Sequence, residues 1–325
     1  TTKTVTKGGS SSAAKQVQPA GKVLPTATLD FDRLKTMNAD VRYKAVQIRN
    51  AKAFPLDRID TRINLKDGVL QLDPLDMGLA GGRLAGLIRI DANSKPVAVQ
   101  ARLEARMLQL NQLFPRVERT KGSLGKLNGR IDLAGRGNSG AQILGTSSGS
   151  VALLMGKGQL SNILLEFMGL DGGEIIKFLA TGDRNVLLRC AAAAFDVKQG
   201  LMSSRAILLD TSDTVINGNG QISLANETLD LMLYPQPKDG SILSLRSPLR
   251  IGGTFSKPSA GPDKAALAGR AGIALLMGAI NPLLALAATI ETGPGKDADC
   301  ERVLATASPV KPPEKPGAAT TASKK

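Results

Sequence analysis

The chain has 325 residues, 42% of them hydrophobic, enough to bury a sizeable core in one large or two ordinary domains. It contains no His, no Trp, two widely separated Cys and 3% aromatic residues, which excludes a His-dependent catalytic triad, a His metal site and a zinc cluster of paired cysteines. The formal charge of +14 invites nucleic acid as a partner, but about half of the excess lies at the two ends, and no RNP-type aromatic motif, zinc-finger spacing or Gly-x-Gly-x-x-Gly run accompanies it.

Residues 1–24 are rich in Thr, Ser, Gly, Lys and Ala, and they predict a disordered basic linker. The first residue is Thr and no signal peptide opens the sequence, so a longer precursor is expected. The first strong pattern follows: Ile59, Thr61, Ile63 and Leu65 alternate with Arg58, Asp60, Arg62 and Asn64. Period-two patterning places one class of side chain on each face of a sheet. A turn at Lys66-Asp67-Gly68 leads to a second run through Leu84, Gly86, Ile88 and Ile90. The clearest alternation sets Val97, Val99, Ala101, Leu103, Ala105 and Met107 against Gln100, Arg102, Glu104 and Arg106, and a fourth runs through Leu127, Gly129, Ile131 and Leu133. These spacings predict long strands of about 9–11 residues, roughly 30 Å each.

Two stretches, Leu160–Gly169 and Gly172–Ala180, carry apolar side chains at helical spacing and predict packing helices, with Asp171 and Glu174 as an N-terminal cap. Val197-Lys198-Gln199-Gly200-Leu201 then repeats Leu65-Lys66-Asp67-Gly68-Val69 at a distance of 132 residues. Each is followed eighteen residues after its glycine by another, Gly86 and Gly218, which predicts duplicated β-meander modules in one elongated sheet. Ala271–Ile290 has Asn281 as its only strongly polar residue. Two short apolar helices broken near Asn281-Pro282 are expected there, within 265–290, with a bilayer span as the alternative. Residues 305–325 form a Pro/Lys-rich tail. The fold class is thus mainly β: an elongated, curled, antiparallel sheet over 25–304 with a few short helices.

A sheet with one aliphatic face must cover that face with a second layer, its own helices, a membrane or a ligand. No Gly-x-Ser-x-Gly elbow or metal-ligand cluster appears, so the expectation is a non-enzymatic protein with no catalytic residues, no cofactor and no metal.

Four blocks carry a resemblance over about Leu29 to Leu304. They are the run from Leu65 to Leu84, Asp183-Arg-Asn-Val-Leu-Leu-Arg-Cys190, Leu208-Leu-Asp-Thr-Ser-Asp-Thr214, and Pro235-Gln-Pro-Lys-Asp239 with Leu245 to Pro258. In these the chain resembles the C-terminal region of the AsmA family of bacterial envelope proteins. The resemblance implies a periplasmic protein tethered to the inner membrane through an N-terminal anchor absent from this chain. It also implies a long β-groove related to bridge-like lipid carriers, outer-membrane biogenesis as the task, and phospholipid acyl chains with inner- and outer-membrane or envelope proteins as partners. Candidate groove residues are Ile59, Ile63, Leu65, Leu84, Ile88, Val97, Val99 and Leu103. Alternation fixes which of these share a face, not which face is concave. The alternative function is a scaffold for outer-membrane protein assembly acting through exposed sheet edges. In the oxidising compartment the resemblance implies, the even pair Cys190 and Cys300 predicts a disulfide pinning the C-terminal helices onto the sheet, against two buried free thiols.

Overall fold

The computed structural model describes residues 19–48, 55–113, 125–160, 186–212, 214–238, 248–262, 296–300 and 302. The expected helices at 160–180 (apart from Leu160) and 265–290, residues 1–18 of the expected linker over 1–24 and the C-terminal tail lie outside these residues. What is described is one 14-stranded antiparallel sheet, unclosed and curled. Its strands are β1 (Ala39–Ala45), β2 (Leu56–Lys66), β3 (Val69–Leu79), β4 (Gly82–Asp91), β5 (Ala98–Gln109), β6 (Lys126–Arg136) and β7 (Ser148–Met155). They continue with β8 (Gly158–Leu160), β9 (Val186–Lys198), β10 (Leu201–Thr211), β11 (Thr214–Ser223), β12 (Thr228–Pro237), β13 (Leu249–Thr254) and β14 (Lys257–Pro262). Each strand pairs with its neighbours in sequence, except that β8 prolongs β7 along β9. Leu160, the first residue of the expected helix, is therefore the last residue of β8.

The repeat seen in the sequence is a repeat of backbone geometry. Asp67 and Gly68 have φ of 49° and 75°, and Gln199 and Gly200 have 48° and 73°. Two consecutive positive φ values make the two-residue hairpin turn whose twist matches the strands it joins, and glycine takes the second position without strain. In both modules the strand after the turn is interrupted by an irregularity, at Leu72/Leu75 in β3 and at Ser203/Ile207 in β10. In both the following strand brings its glycine opposite an aliphatic residue, Gly86 against Leu75 and Gly218 against Ile207.

Because the strands are long and antiparallel, successive turns along the sheet fall at its two ends alternately, with β8 left out of the count. At the end holding the β2–β3, β6–β7 and β11–β12 turns sits α2 (Gly140–Gly145), capped by the Ser139 hydroxyl, which accepts from the Gln142 amide. At the opposite end the one-turn helix α1 (Leu110–Leu113) follows β5. Neither helix is foreshadowed by apolar periodicity, because each is too short to show one.

Residues 19–38 run back along the α2 end, crossing the turns from β13–β14 to β2–β3. The Gly21 carbonyl accepts from the Ser256 hydroxyl, the Pro25 carbonyl from the Ala141 amide and the Asn138 carbonyl from the Leu29 amide. Glu227, 2% exposed, accepts from the Val23 and Leu24 amides and pairs with Lys22 at 3.7 Å. Asn38 then reaches the β2–β3 turn, its Oδ1 accepting from the Asp67 amide. Val23 and Leu29 stay about half exposed, so this strap is held by hydrogen bonds at its crossings rather than by burial.

Candidate functional site: an apolar sheet face and the latch beside it

Register decides which side chains share a face. One row crosses from Ile63 through Leu72, Ile88, Ala101, Leu133, Gly149, Val197 and Met202 to Ile222 and Leu229. Parallel rows carry Ile59–Met77–Leu84–Ala105 and Leu65–Leu70–Ile90–Val99. Leu103 lies in a further row with Gly86, Leu75 and Thr61. Seven of the eight residues singled out from the sequence, Ile59, Ile63, Leu65, Leu84, Ile88, Val99 and Leu103, thus sit on one continuous apolar face. Val97 lies one residue ahead of β5, buried at the α2 end, where its carbonyl accepts from the Gly137 amide.

Two residues break the simple alternation. Met107 takes φ 58° and is 47% exposed, and the register slips between Ala105 and Leu108, so Leu108 rather than Met107 continues the apolar face opposite Leu127. In β3 an irregularity around Asp73-Pro74 shifts the parity, which hides Leu70, Leu72, Leu75 and Met77 from a period-two reading although all four lie on the same face. Ile131 and Leu133 were visible in their alternating run; only register joins them to the others.

The two short helices cover this face at its opposite ends. Gly135, opposite Val99, has the α2 backbone over its missing Cβ, with the Ile143 carbonyl 2.1 Å from where that atom would stand. At the other end Leu110 packs with Met155 and Leu188, and Leu113 packs against Leu79 and Leu108. Between them Leu84, Ile88, Val99, Leu103, Ile131 and Val151 remain only partly buried, and Leu153 is 39% exposed. Among the described residues no second sheet lies over them.

The opposite face is a ladder of charges. Arg62 pairs with Asp40 at 2.5 Å, Arg58 and Arg83 share Asp76 at 3.2 and 2.9 Å, Arg106 meets Glu104 at 2.9 Å and Arg250 meets Asp230 at 3.1 Å. Hydrogen bonds from Arg83 hold the Asp76 carboxyl below its usual range, and Arg106 does the same for Glu104. The alternating Lys/Arg excess of the sequence is therefore a solvated outer face. A smaller apolar patch interrupts it, where Ala152, Ala192 and Ala194 are buried with Leu154 and Ala206 beside them.

At the α1 end of this charged face lies a latch that sequence periodicity did not show. Cys190 and Cys300 are joined by a disulfide, their Cα atoms 6.0 Å apart. Beside it Asp210 is fully buried and accepts from Arg189 Nε at 3.1 Å, Lys238 Nζ at 2.6 Å and the Ala298 amide at 3.0 Å. Lys238 and Arg189 both continue to Asp297, at 2.7 and 3.0 Å. Burial works against the Lys238 ammonium, but hydrogen bonds and charge from Asp210 and Asp297 outweigh it and raise its pKa above the ordinary value. Lys238 in turn lowers the Asp297 carboxyl. Three of the sequence blocks, those ending at Cys190, containing Asp210 and containing Lys238, converge on this one spot. Cys190, Asp210 and Cys300 lie close enough to suggest a metal cluster, but the disulfide leaves neither sulfur a thiolate to donate.

The profile of the AsmA family matches residues 3–207. The chain belongs to the AsmA family. It is also 39% identical over 291 residues to the AsmA family protein YhjG of Escherichia coli (strain K12), an alignment covering 89% of this chain and 42% of that protein. The chain therefore spans less than half of its relative's length. No solved structure matches it. Neither name states an enzymatic activity. Within the described residues of this AsmA-family chain, no helix is long and apolar enough to cross a membrane.

Proposed function

We propose that this AsmA-family chain is a non-enzymatic, periplasmic lipid-binding protein that conducts phospholipid acyl chains along its apolar sheet face in support of outer-membrane biogenesis. The observation that carries this reading is the band between α1 and α2. Aliphatic side chains from β2 to β7 stay in register on one face, half-buried, with no second sheet of the described residues over them. Each acyl methylene moved from water onto such a surface gains about 0.8 kcal/mol. Few aromatics and many Leu, Ile, Val and Ala suit a track for acyl chains of varied structure better than a shaped pocket with convergent polar groups. Placement in the periplasm and tethering to the inner membrane follow from the family resemblance, and the Cys190–Cys300 disulfide is in keeping with an oxidising compartment.

The test is lipid co-purification. Protein produced in the periplasm is expected to carry phospholipid detectable by mass spectrometry, and Val99→Asp with Leu103→Asp is expected to lose most of it while keeping a β-sheet circular dichroism spectrum. Equal lipid content in the double variant sinks the assignment of this face. The second reading, a scaffold for outer-membrane protein assembly, draws on the outer edge of β1, which no other described strand pairs; crosslinked capture of a defined envelope protein by lipid-free chain favours it.

A further inference from the structure

Among the described residues, the two outer edges of the sheet are unlike. In β14 the Thr254–Lys257 turn sets Lys257, Ser259 and Gly261 as the residues whose amides face β13, so Pro258, Ala260 and Pro262 point their nitrogens outward. Two of those three are prolines, which have no N–H, and a strand added at this edge finds one donor. The β1 edge has no proline, and among the described residues β2 is its only partner. It also carries a dense cluster of exposed apolar side chains among the described residues. Four of the eleven exposed large apolar side chains among the described residues fall here: Met37 at 61%, Val41 and Tyr43 at 49% each, and Val46 at 79%.

Register continues the two-faced character of the sheet onto β1. Val41 lies opposite Ile63 and Tyr43 opposite Thr61 on the apolar face, while Asp40, Arg42 and Lys44 lie on the charged face. A strand that docks here must match both. We infer that the β1 edge pairs with β1 of a second copy of this chain, antiparallel about a two-fold axis at Val41, joining two sheets into one. In that register Val41 meets Val41, Ala39 meets Tyr43, and Asp40 of each copy faces Arg42 of the other. Two opposite-charge pairs therefore form with no like-charge contact within the strand. Shifting the axis to Arg42 opposes two guanidiniums, so the charge pattern selects the first arrangement. Self-complementarity of one patch is what a two-fold interface requires. The pairing uses main-chain donors and side chains of the protein alone and does not depend on bound lipid.

Light scattering on the purified 325-residue chain is expected to give twice the 33.9 kDa chain mass, before and after lipid is stripped with detergent. Val41→Lys sets two ammoniums against each other across the axis and is expected to give monomer with an unchanged β-sheet spectrum. Val41→Cys is expected to form an inter-copy disulfide on oxidation, because residue 41 faces itself and paired Cβ atoms come within disulfide reach. Ala260→Cys on the β14 edge is expected to form none. A chain that stays monomeric across the accessible concentration range overturns the inference. So does a dimer that survives Val41→Lys, crosslinking through Ala260→Cys instead of Val41→Cys, or association that vanishes when lipid is removed.

Discussion

Asp210 shows how a single carboxylate organises a region. A fully buried charge is tolerated only where its partners replace water, and Arg189, Lys238 and the Ala298 amide do so from three separate chain segments. The charge coupling has a defined pH signature. Asp297 has a lowered pKa, so its contribution is complete above its ordinary value of 3.8 and is lost as pH falls through the folded-state value. Lys238 has a raised pKa, so its contribution is complete below 10.5 and is lost as pH rises through the folded-state value. Urea midpoints measured from acid to alkaline pH are expected to fall at both extremes, and Lys238→Met is expected to flatten the alkaline limb while lowering the plateau. A variant with an unchanged alkaline limb would show that the coupling carries no stability.

At the scale of the element, glycine placement and the disulfide set the tolerances. Gly86 adopts φ 152°, and a Cβ there would stand 1.9 Å from the Arg102 carbonyl oxygen of the neighbouring strand. Its repeat counterpart Gly218 faces side chains rather than backbone, Leu233 Cδ2 at 2.7 Å and Ile207 Cγ2 at 2.9 Å, and the leucine tip can rotate away. Gly86→Ala is therefore expected to cost at least about 2 kcal/mol and Gly218→Ala about 1 kcal/mol or less, compared by urea denaturation. Equal costs would mean that the two modules relax alike. The Cys190–Cys300 bridge closes a separation of 110 residues. Chain entropy puts its contribution at about 5 kcal/mol, so the Cys190→Ser, Cys300→Ser double variant is expected to unfold at clearly lower urea concentration. A midpoint shift below what 1 kcal/mol produces would assign the fastening of residues 297–300 to Asp210 and Lys238 instead.

At the scale of the whole molecule, the strap of residues 19–38 ties turns at one end of the sheet to one another. Its attachment near β12 rests on Glu227, whose buried carboxylate holds two main-chain amides. Glu227→Ala is expected to leave the sheet folded and to speed proteolysis between Lys22 and Arg33 by several-fold; cleavage at the wild-type rate would show that the other crossings suffice. The apolar face itself is a whole-molecule property as well, since no strand owns it and the rows that build it run across many strands.

Alternation alone determined that the chain folds as long two-faced strands, because a period of two has no other stable outcome when one class of side chain must leave water. It placed Ile59, Ile63, Leu65, Leu84, Ile88, Val99 and Leu103 on apolar faces strand by strand, and the paired glycine turns announced the repeated module. The pairing of Cys190 with Cys300 was legible only through composition and compartment. What the tertiary structure alone decided was whether those separate faces coincide, since a slip of one residue inverts a strand and the slips at Asp73-Pro74 and Met107 are set by neighbouring strands. It also decided that Asp210, Arg189 and Lys238 meet, because charges brought together from sequence positions 21 and 28 residues apart leave no local periodicity. The band between α1 and α2, over which no second sheet of the described residues lies, belongs to the same class: what covers an apolar face depends on how the rest of the chain packs in three dimensions.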